Sequence, residues 1–252
     1  LLPPLIAIAR EAGQAIMDIY RTDFSVRSKD DESPVTAADE KAEEIIETAL
    51  GRLTPDIPVI GEEATAAGRQ PRFGRRFWLV DPLDGTREFI KRNGEFTVNI
   101  GLVEDGRPVL GVVFAPAIDR LFAGAGPGTA ILSEQGGSAI SISTATPDPA
   151  GLVVVSSRSH RDGPEFDAWL ARHKIVRQTT AGSSLKLCLV AAGEADVYPR
   201  FGPTCEWDIC AGHAVLRAAG GDILTDRGDA LLYGKPSLLN PNFIAWGVCP
   251  QP

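Results

Sequence analysis

Asp81-Pro82-Leu83-Asp84-Gly85-Thr86 sets two carboxylates three residues apart behind an apolar run, Phe77-Trp78-Leu79-Val80. A strand ending at Asp81 and a turn stiffened by Pro82 would point both carboxylates into one space. Gly85 permits close backbone approach or positive φ. The amides of Gly85 and Thr86 would face an anion if a helix begins there. Hard divalent ions take oxygen ligands, and magnesium keeps several waters while using few protein groups. Asp81, Asp84 and the Leu83 carbonyl suit that demand. Glu62, behind Gly61 and the short apolar run Pro58-Val59-Ile60, is a third carboxylate, and Asp208, opening a later helix, is a fourth. Each has a plainer reading: the hexapeptide as an Asx turn capping a helix, Glu62-Glu63 as solvated charge, Asp208 as an N-cap. Their combination in one chain favours the metal site.

The elements that must position these groups follow from hydrophobic spacing. Leu5, Ala9, Ala12, Ile16 and Ile19 predict an amphipathic helix over 5–20. A polar stretch with Lys29-Asp30-Asp31-Glu32 follows. Thr36-Ala37-Ala38-Asp39 then opens a second helix with a capping-box-like pattern, its stripe being Ala42, Ile45, Ile46, Ala49 and Leu53. Taken alone, Asp39 reads as a helix-opening cap. Thr97–Val103 and Pro108–Ala115 read as strands of a hairpin about Glu104-Asp105-Gly106-Arg107. Residues 124–149, rich in Gly, Ser, Thr and Pro, hold short strands and the boundary between two halves. Beyond it strands at 152–156, 175–179 and 195–198 alternate with helices at 164–172, 184–193 and 208–219. The expected class is α/β, with an α+β first half (1–148) and an α/β second half (149–252).

Composition bounds the function classes. Hydrophobic residues make up 44% and charged residues 23% of 252 residues, as in soluble globular proteins. A net charge of −8 argues against nucleic acid as a partner, yet phosphate still binds where cations stand between it and carboxylates. No apolar run approaches the roughly 18 residues of a membrane span. Leu1-Leu2-Pro3-Pro4-Leu5 lacks the basic flank of a signal peptide. Cys188, Cys205, Cys210 and Cys249 form no C-x-x-C pair, so neither structural zinc nor a disulfide scaffold is expected, and a reducing cytoplasm is.

Three motifs carry a resemblance that runs along nearly the whole chain. Gly61-Glu62-Glu63, then Trp78-Leu79-Val80-Asp81-Pro82-Leu83-Asp84-Gly85-Thr86, then Trp207-Asp208 with Ala218-Ala219-Gly220-Gly221 stand in the order found in the lithium-sensitive, metal-dependent phosphatases that include the inositol monophosphatases. A narrower resemblance, to the CysQ-type 3′(2′),5′-bisphosphate nucleotidases, rests on Ser33–Asp39, Arg87–Ile100, Ser157-Arg158-Ser159-His160, Gly182-Ser183-Ser184-Leu185-Lys186 and Tyr198–Pro203. Arg87 stands where close relatives often have Lys, which keeps the charge.

The resemblance implies a layered αβαβα sandwich with its active site between the halves. It implies two or three magnesium ions held by Glu62, Asp81, Asp84, Asp208 and the Leu83 carbonyl. It reverses the plain reading of Asp39, pairing it with Thr86 to orient or deprotonate the attacking water. It implies that Gly85, Thr86, His160, Ser183, Lys186 and Arg200 meet the substrate, with Lys186 and Arg200 on the 5′-phosphate. Read alone, Lys186 is equally a snorkelling surface lysine and His160 an ordinary loop residue, while His173 is a surface helix end, His213 a helix packing position and Cys188 a core residue. The implied reaction converts adenosine 3′,5′-bisphosphate to AMP and phosphate, with the sulfated nucleotide as a second substrate. An inositol phosphate or sugar bisphosphate, and a nucleotide sensor without turnover, are the alternatives. Lithium inhibition, clearance of a by-product of sulfate assimilation and a cytoplasmic location, with or without peripheral attachment to the inner membrane, are further implications. Oligomeric state has no signal in the sequence.

Overall fold

The computed structural model describes residues 1–22, 26–28, 34–158 and 163–249, with backbone alone at 26–28 and 34–36. The polar stretch 29–32, Ser33, and Ser159-His160 therefore lie outside the described residues. The N-terminal helices are α1 (Leu2–Tyr20) and α2 (Ala37–Leu53), with a small antiparallel pair, β1 (Val26–Ser28) and β2 (Pro34–Thr36), between them. Leu5, Ala9, Ala12 and Ile16 of α1 are fully buried, as are Ala42, Ile46 and Leu50 of α2.

These helices cover one face of a seven-stranded sheet. Its strands are β3 (Val59–Gly61), β4 (Arg76–Asp84), β5 (Thr97–Glu104), β6 (Arg107–Ala115), β7 (Arg120–Gly124), β8 (Ile131–Glu134) and β9 (Ile140–Ser141), in that spatial order. The β5–β6 turn places Asp105 and Gly106 at φ 50 and 73, the pairing that a tight two-residue hairpin demands. Alternation sorts the side chains: Trp78, Val80, Val98, Ile100, Val112 and Phe114 pack toward α1 and α2. Phe77, Leu79, Val103, Val113 and Phe122 point the other way.

That second face receives α6 (Leu185–Ala191) and α7 (Glu206–Ala219). Behind them lies a five-stranded sheet of β10 (Leu152–Ser157), β11 (Ile175–Ala181), β12 (Val197–Arg200), β13 (Asp222–Thr225) and β14 (Phe243–Trp246), ordered β11-β10-β12-β14-β13. β10 runs parallel to β11 and β12, while β14 is antiparallel to β12 and β13, so the sheet is mixed. A further helix, α5 (Pro164–Leu170), closes its outer face through Phe166 and Trp169 over Val154 and Val197. The layers thus run helix, sheet, helix, sheet, helix.

The remaining helices are two short ones beside the sheet ends, α3 (Glu62–Ala66) and α4 (Thr86–Ile90). One difference from the sequence reading bears on the site. β4 does not stop at Asp81; it continues to Asp84, and its register against β5 slips between those two residues. Pro82 offers no N–H to a ladder, so the strand crosses it through an irregularity. No helix among the described residues is long and apolar enough to cross a membrane.

Candidate active site

The C-terminal end of β4, the starts of α3, α4, α6 and α7, and the end of β12 surround one cavity of about 320 Å³. Glu62, Asp84, Gly85, Thr86, Ser183, Lys186, Arg200 and Asp208 line it. Asp81, Leu83 and Asp39 are buried behind this wall, at 2%, 1% and 1% exposure.

The carboxylates form one electrostatic group. Burial, then Glu62, Asp84, Asp208 and Asp39 in turn, push Asp81 well above the usual carboxylate range. Asp208 is raised by burial and by Asp84 and Glu62. Asp84 rises to about 6 through burial, restrained by Lys186 and by the Ser184 amide. Local geometry fixes each one. Leu83 N–H donates to Asp81 Oδ1 at 3.1 Å, so the Asx turn is present within the proposed metal motif. Ser184 N–H donates to Asp84 Oδ2 at 2.6 Å, and the Asn99 side-chain amide reaches the same oxygen at 3.4 Å. Asp208 is not the N-cap of its helix. Cys205 holds that position, and Asp208, three residues on, accepts the Cys205 N–H at 2.8 Å.

This donor set is all oxygen and strongly anionic, the chemistry a hard divalent ion takes, and mutual repulsion among the carboxylates is what a cation would relieve. Among the described residues no three His, Cys, Asp or Glu side chains are disposed to hold an ion by themselves. Magnesium, which retains several waters and takes one or two carboxylates, does not require such a triple. Thr86 Oγ1 donates to the Leu83 carbonyl at 3.3 Å, joining two of the sequence-predicted groups. Gly85 adopts φ 91, the left-handed conformation its position called for.

The cationic side of the cavity is buried. Lys186 is 6% exposed, not a surface lysine. Its ammonium donates to Ser183 O at 2.6 Å and Ala181 O at 3.4 Å and stands 5.4 Å over the Tyr198 ring. Arg200, 8% exposed, donates from Nη2 to Pro203 O at 3.2 Å. Arg200 Nε and Ser183 Oγ are buried without a hydrogen-bond partner among the described residues. Both point to a ligand that completes them. Ser183 itself sits at φ 45, an uncommon conformation for serine.

Asn99 and Ser184, the groups that fix Asp84, escaped the sequence reading. Asn99 lies at the β5 position paired with Asp81, a relation visible only once register is known. Among the plainer assignments, His173 stacks on Trp169 at 3.9 Å. His213 is buried between Tyr233 and Asp222, and Cys188 is in the core.

Comparison with known proteins agrees along the chain's length. The profile of the inositol monophosphatase family matches residues 1–249. The 3′(2′),5′-bisphosphate nucleotidase CysQ of Salmonella typhimurium is 48% identical over 247 residues, covering 96% of this chain and 98% of that protein. The Escherichia coli K12 protein of the same name is 47% identical with the same coverage. Among solved structures, CysQ from Bacteroides thetaiotaomicron superposes with a TM-score of 0.80 at 38% identity, covering 96% of this chain and 95% of that one. An inositol monophosphatase from Zymomonas mobilis gives 0.76 at 27% identity, with 97% and 91% covered. With the family profile matched over residues 1–249, identity of 47–48% to curated relatives over 96% of its length and a fold that superposes on theirs, the chain belongs to the inositol monophosphatase family.

Proposed function

We propose that this chain is a magnesium-dependent phosphatase that removes the 3′-phosphate of adenosine 3′,5′-bisphosphate, giving AMP and phosphate, with the sulfated nucleotide as a second substrate. The observation that carries the reading is a single cavity combining Glu62, Asp84 and Asp208 with the buried cations Lys186 and Arg200. A substrate with one phosphate to lose and another to anchor fits such a wall. The near-full-length identity to proteins named 3′(2′),5′-bisphosphate nucleotidase supports it.

In this reading Glu62, Asp81, Asp84, Asp208 and the Leu83 carbonyl would hold two or three magnesium ions. Bound magnesium supplies charge neutralisation and lowers the pKa of a coordinated water. Asp39 and Thr86 would orient the attacking water and take its proton. Gly85 and Thr86 offer main-chain N–H groups to the phosphate being cleaved. Lys186 and Arg200 hold the second phosphate, Arg200 through the Nε that has no protein partner. Ser183 Oγ donates to the same ligand, and His160 meets the sugar or base. The half ending near residue 148 would carry most metal ligands, and the half from 149 the nucleotide contacts and Asp208. Free thiols at Cys188, Cys205, Cys210 and Cys249 suit a cytoplasmic enzyme.

The deciding experiment compares phosphate release from adenosine 3′,5′-bisphosphate and from inositol 1-phosphate, each with magnesium and with chelator. Magnesium-dependent release mainly from the nucleotide is expected. Preference for inositol 1-phosphate would overturn the nucleotide assignment, and equal release under chelator would overturn the metal chemistry.

A further inference from the structure

The helix that follows the Asp84-Gly85-Thr86 turn carries a carboxylate with no part in the chemistry above. Glu88 is 4% exposed and lines the same cavity as Asp84, Thr86, Ser183 and Lys186. Two glycines house its side chain. A Cβ on Gly85 would stand 3.3 Å from Glu88 Oε2. A Cβ on Gly182, from the other half of the chain, would stand 2.9 Å from Glu88 Cγ and 2.6 Å from the Glu95 carbonyl oxygen. Gly182 has an ordinary φ, so the lack of a side chain there is a matter of space, and that space holds Glu88 and Glu95.

Among the described residues no hydrogen-bond donor reaches the Glu88 carboxylate. Arg158 feels its charge but spends its guanidinium on Glu95. The Glu88 oxygens open onto the cavity, where solvent reaches them, so a ligand that fills the cavity must put a donor in place of that solvent. A phosphate oxygen is excluded, because two anions would face each other. A metal ion has its ligands elsewhere in the reading above, at Glu62, Asp81, Asp84, Asp208 and the Leu83 carbonyl. A neutral O–H remains. Ser183 Oγ, also lining this cavity without a partner, is the complementary neutral group.

Resting on the phosphatase reading above, we infer that Glu88 is a specificity residue that accepts a hydrogen bond from the substrate hydroxyl vicinal to the carbon bearing the scissile phosphate. In a 3′-phosphorylated ribose that is the 2′-hydroxyl. The placement follows from the cavity wall. Glu88 lines it together with Asp84, Gly85 and Thr86, the groups that address the phosphate itself, and its charge reaches Asp84. A charged acceptor there rewards the hydroxyl and penalises an analogue that leaves the carboxylate enclosed and unpaired.

The test is steady-state hydrolysis of adenosine 3′,5′-bisphosphate and its 2′-deoxy analogue by wild type, Glu88→Gln and Glu88→Ala at saturating magnesium. Wild type should favour the ribonucleotide by on the order of 100-fold in kcat/KM. Glu88→Gln keeps shape and an acceptor without charge, and since charge-assisted bonds are roughly twice as strong, the ratio should fall to about tenfold. Glu88→Ala should bring it to about one. In both variants the deoxy substrate should lose little, a pattern that general structural damage does not produce; should Glu88→Ala not fold, the Gln variant carries the test. Equal losses on both substrates, or a wild type indifferent to the 2′-hydroxyl, overturn the inference. A wild type inert on both nucleotides but active on inositol 1-phosphate overturns the nucleotide reading instead. The Glu88 ratio is then read with inositol 1-phosphate against its analogue lacking the neighbouring hydroxyl, with the same expected pattern and the same overturning result.

Discussion

Arg158 grips both carboxylate oxygens of Glu95, Nε to Oε2 at 2.6 Å and Nη2 to Oε1 at 2.8 Å, joining residues 63 apart in the chain. Glu95 Oε2 also accepts the Gly182 N–H at 2.7 Å, one residue before Ser183 and two before the Ser184 amide that holds Asp84. The pair therefore ties the approach to β5 to the turn that presents Ser183 and Lys186. Glu95→Ala should raise KM for the nucleotide by about tenfold, through loss of that positioning. The pair is partly exposed, so its stability contribution is only about 1 kcal/mol. A double-mutant cycle with Arg158→Ala, read by thermal melting and KM, measures the coupling.

Asp84 sits where the β4 irregularity ends, and its carboxylate takes hydrogen bonds from both halves of the chain. Asp84→Asn should lower kcat by on the order of 1,000-fold, the several kcal/mol expected of a lost metal ligand. The fold should persist, because the change removes one charge from a group of mutually repelling carboxylates. Phosphate release together with circular dichroism separates the two effects.

Lys186 and Arg200 should divide the substrates. Lys186→Ala and Arg200→Ala should each raise KM for adenosine 3′,5′-bisphosphate by about 10–100-fold, since each deletes a charge-assisted contact from an enclosed site. Release of phosphate from inositol 1-phosphate, which has no second phosphate to anchor, should change far less. Parallel kinetics on the two substrates check this.

Glu43 should give the protein a pH-dependent stability. This α2 side chain, 3% exposed, accepts the Glu63 and Ala64 amides at 2.8 and 2.6 Å and so holds the start of α3, where Glu62 lies. Burial raises it from 4.5 to about 7 against the pull of those amides. A carboxyl raised in the folded state contributes stability that is full below about pH 4.5 and is lost as pH rises through about 7. Between pH 5 and pH 8 the wild type should therefore lose on the order of 2 kcal/mol more than Glu43→Gln. Denaturant melts of both proteins across that range test the slope.

Gly111 of β6 should tolerate no side chain. A Cβ there would come within 2.2 Å of the Ala211 carbonyl oxygen, main chain of α7, which has no rotamer with which to escape. Gly111→Ala should cost about 3 kcal/mol. The melting temperature should fall by about 5–10 °C, and kcat should fall with it, because α7 carries Asp208.

Much of this arrangement was legible in the chain because its signals are local. The stripe of Leu5, Ala9, Ala12 and Ile16 states a helix at the right spacing, and Asp105-Gly106 states a hairpin. The motif residues are legible for a similar reason, since Asp81, Leu83, Asp84, Gly85 and Thr86 are contiguous. Where the reading fell short, the deciding contact is distant. β7, β13 and β14 are short strands of four or five residues defined by their neighbours in the sheets, and no alternation of their own is long enough to state them. Lys186 looks like a surface lysine until the Tyr198 ring and the Ser183 carbonyl close around it. Glu88 reads as an ordinary helix charge until Gly182, far along the chain, is laid against it. Glu95 and Arg158 announce nothing about each other at a separation of 63 residues.

The lateness of α7 shapes how the molecule is born. Its residues rest on β4, β5, β6 and β7, strands that leave the ribosome long before residue 206 does. At ordinary elongation rates the growing chain carries one apolar face of that sheet uncovered for roughly 10 s. Glu62, Asp81 and Asp84 wait through that interval without Asp208. A chain ending before residue 206 would carry Glu62, Asp81 and Asp84 without Asp208, under a sheet face that α7 no longer covers. Docking of α7 is therefore a single event with two results: it brings Asp208 beside Asp84 and it covers that face of the sheet.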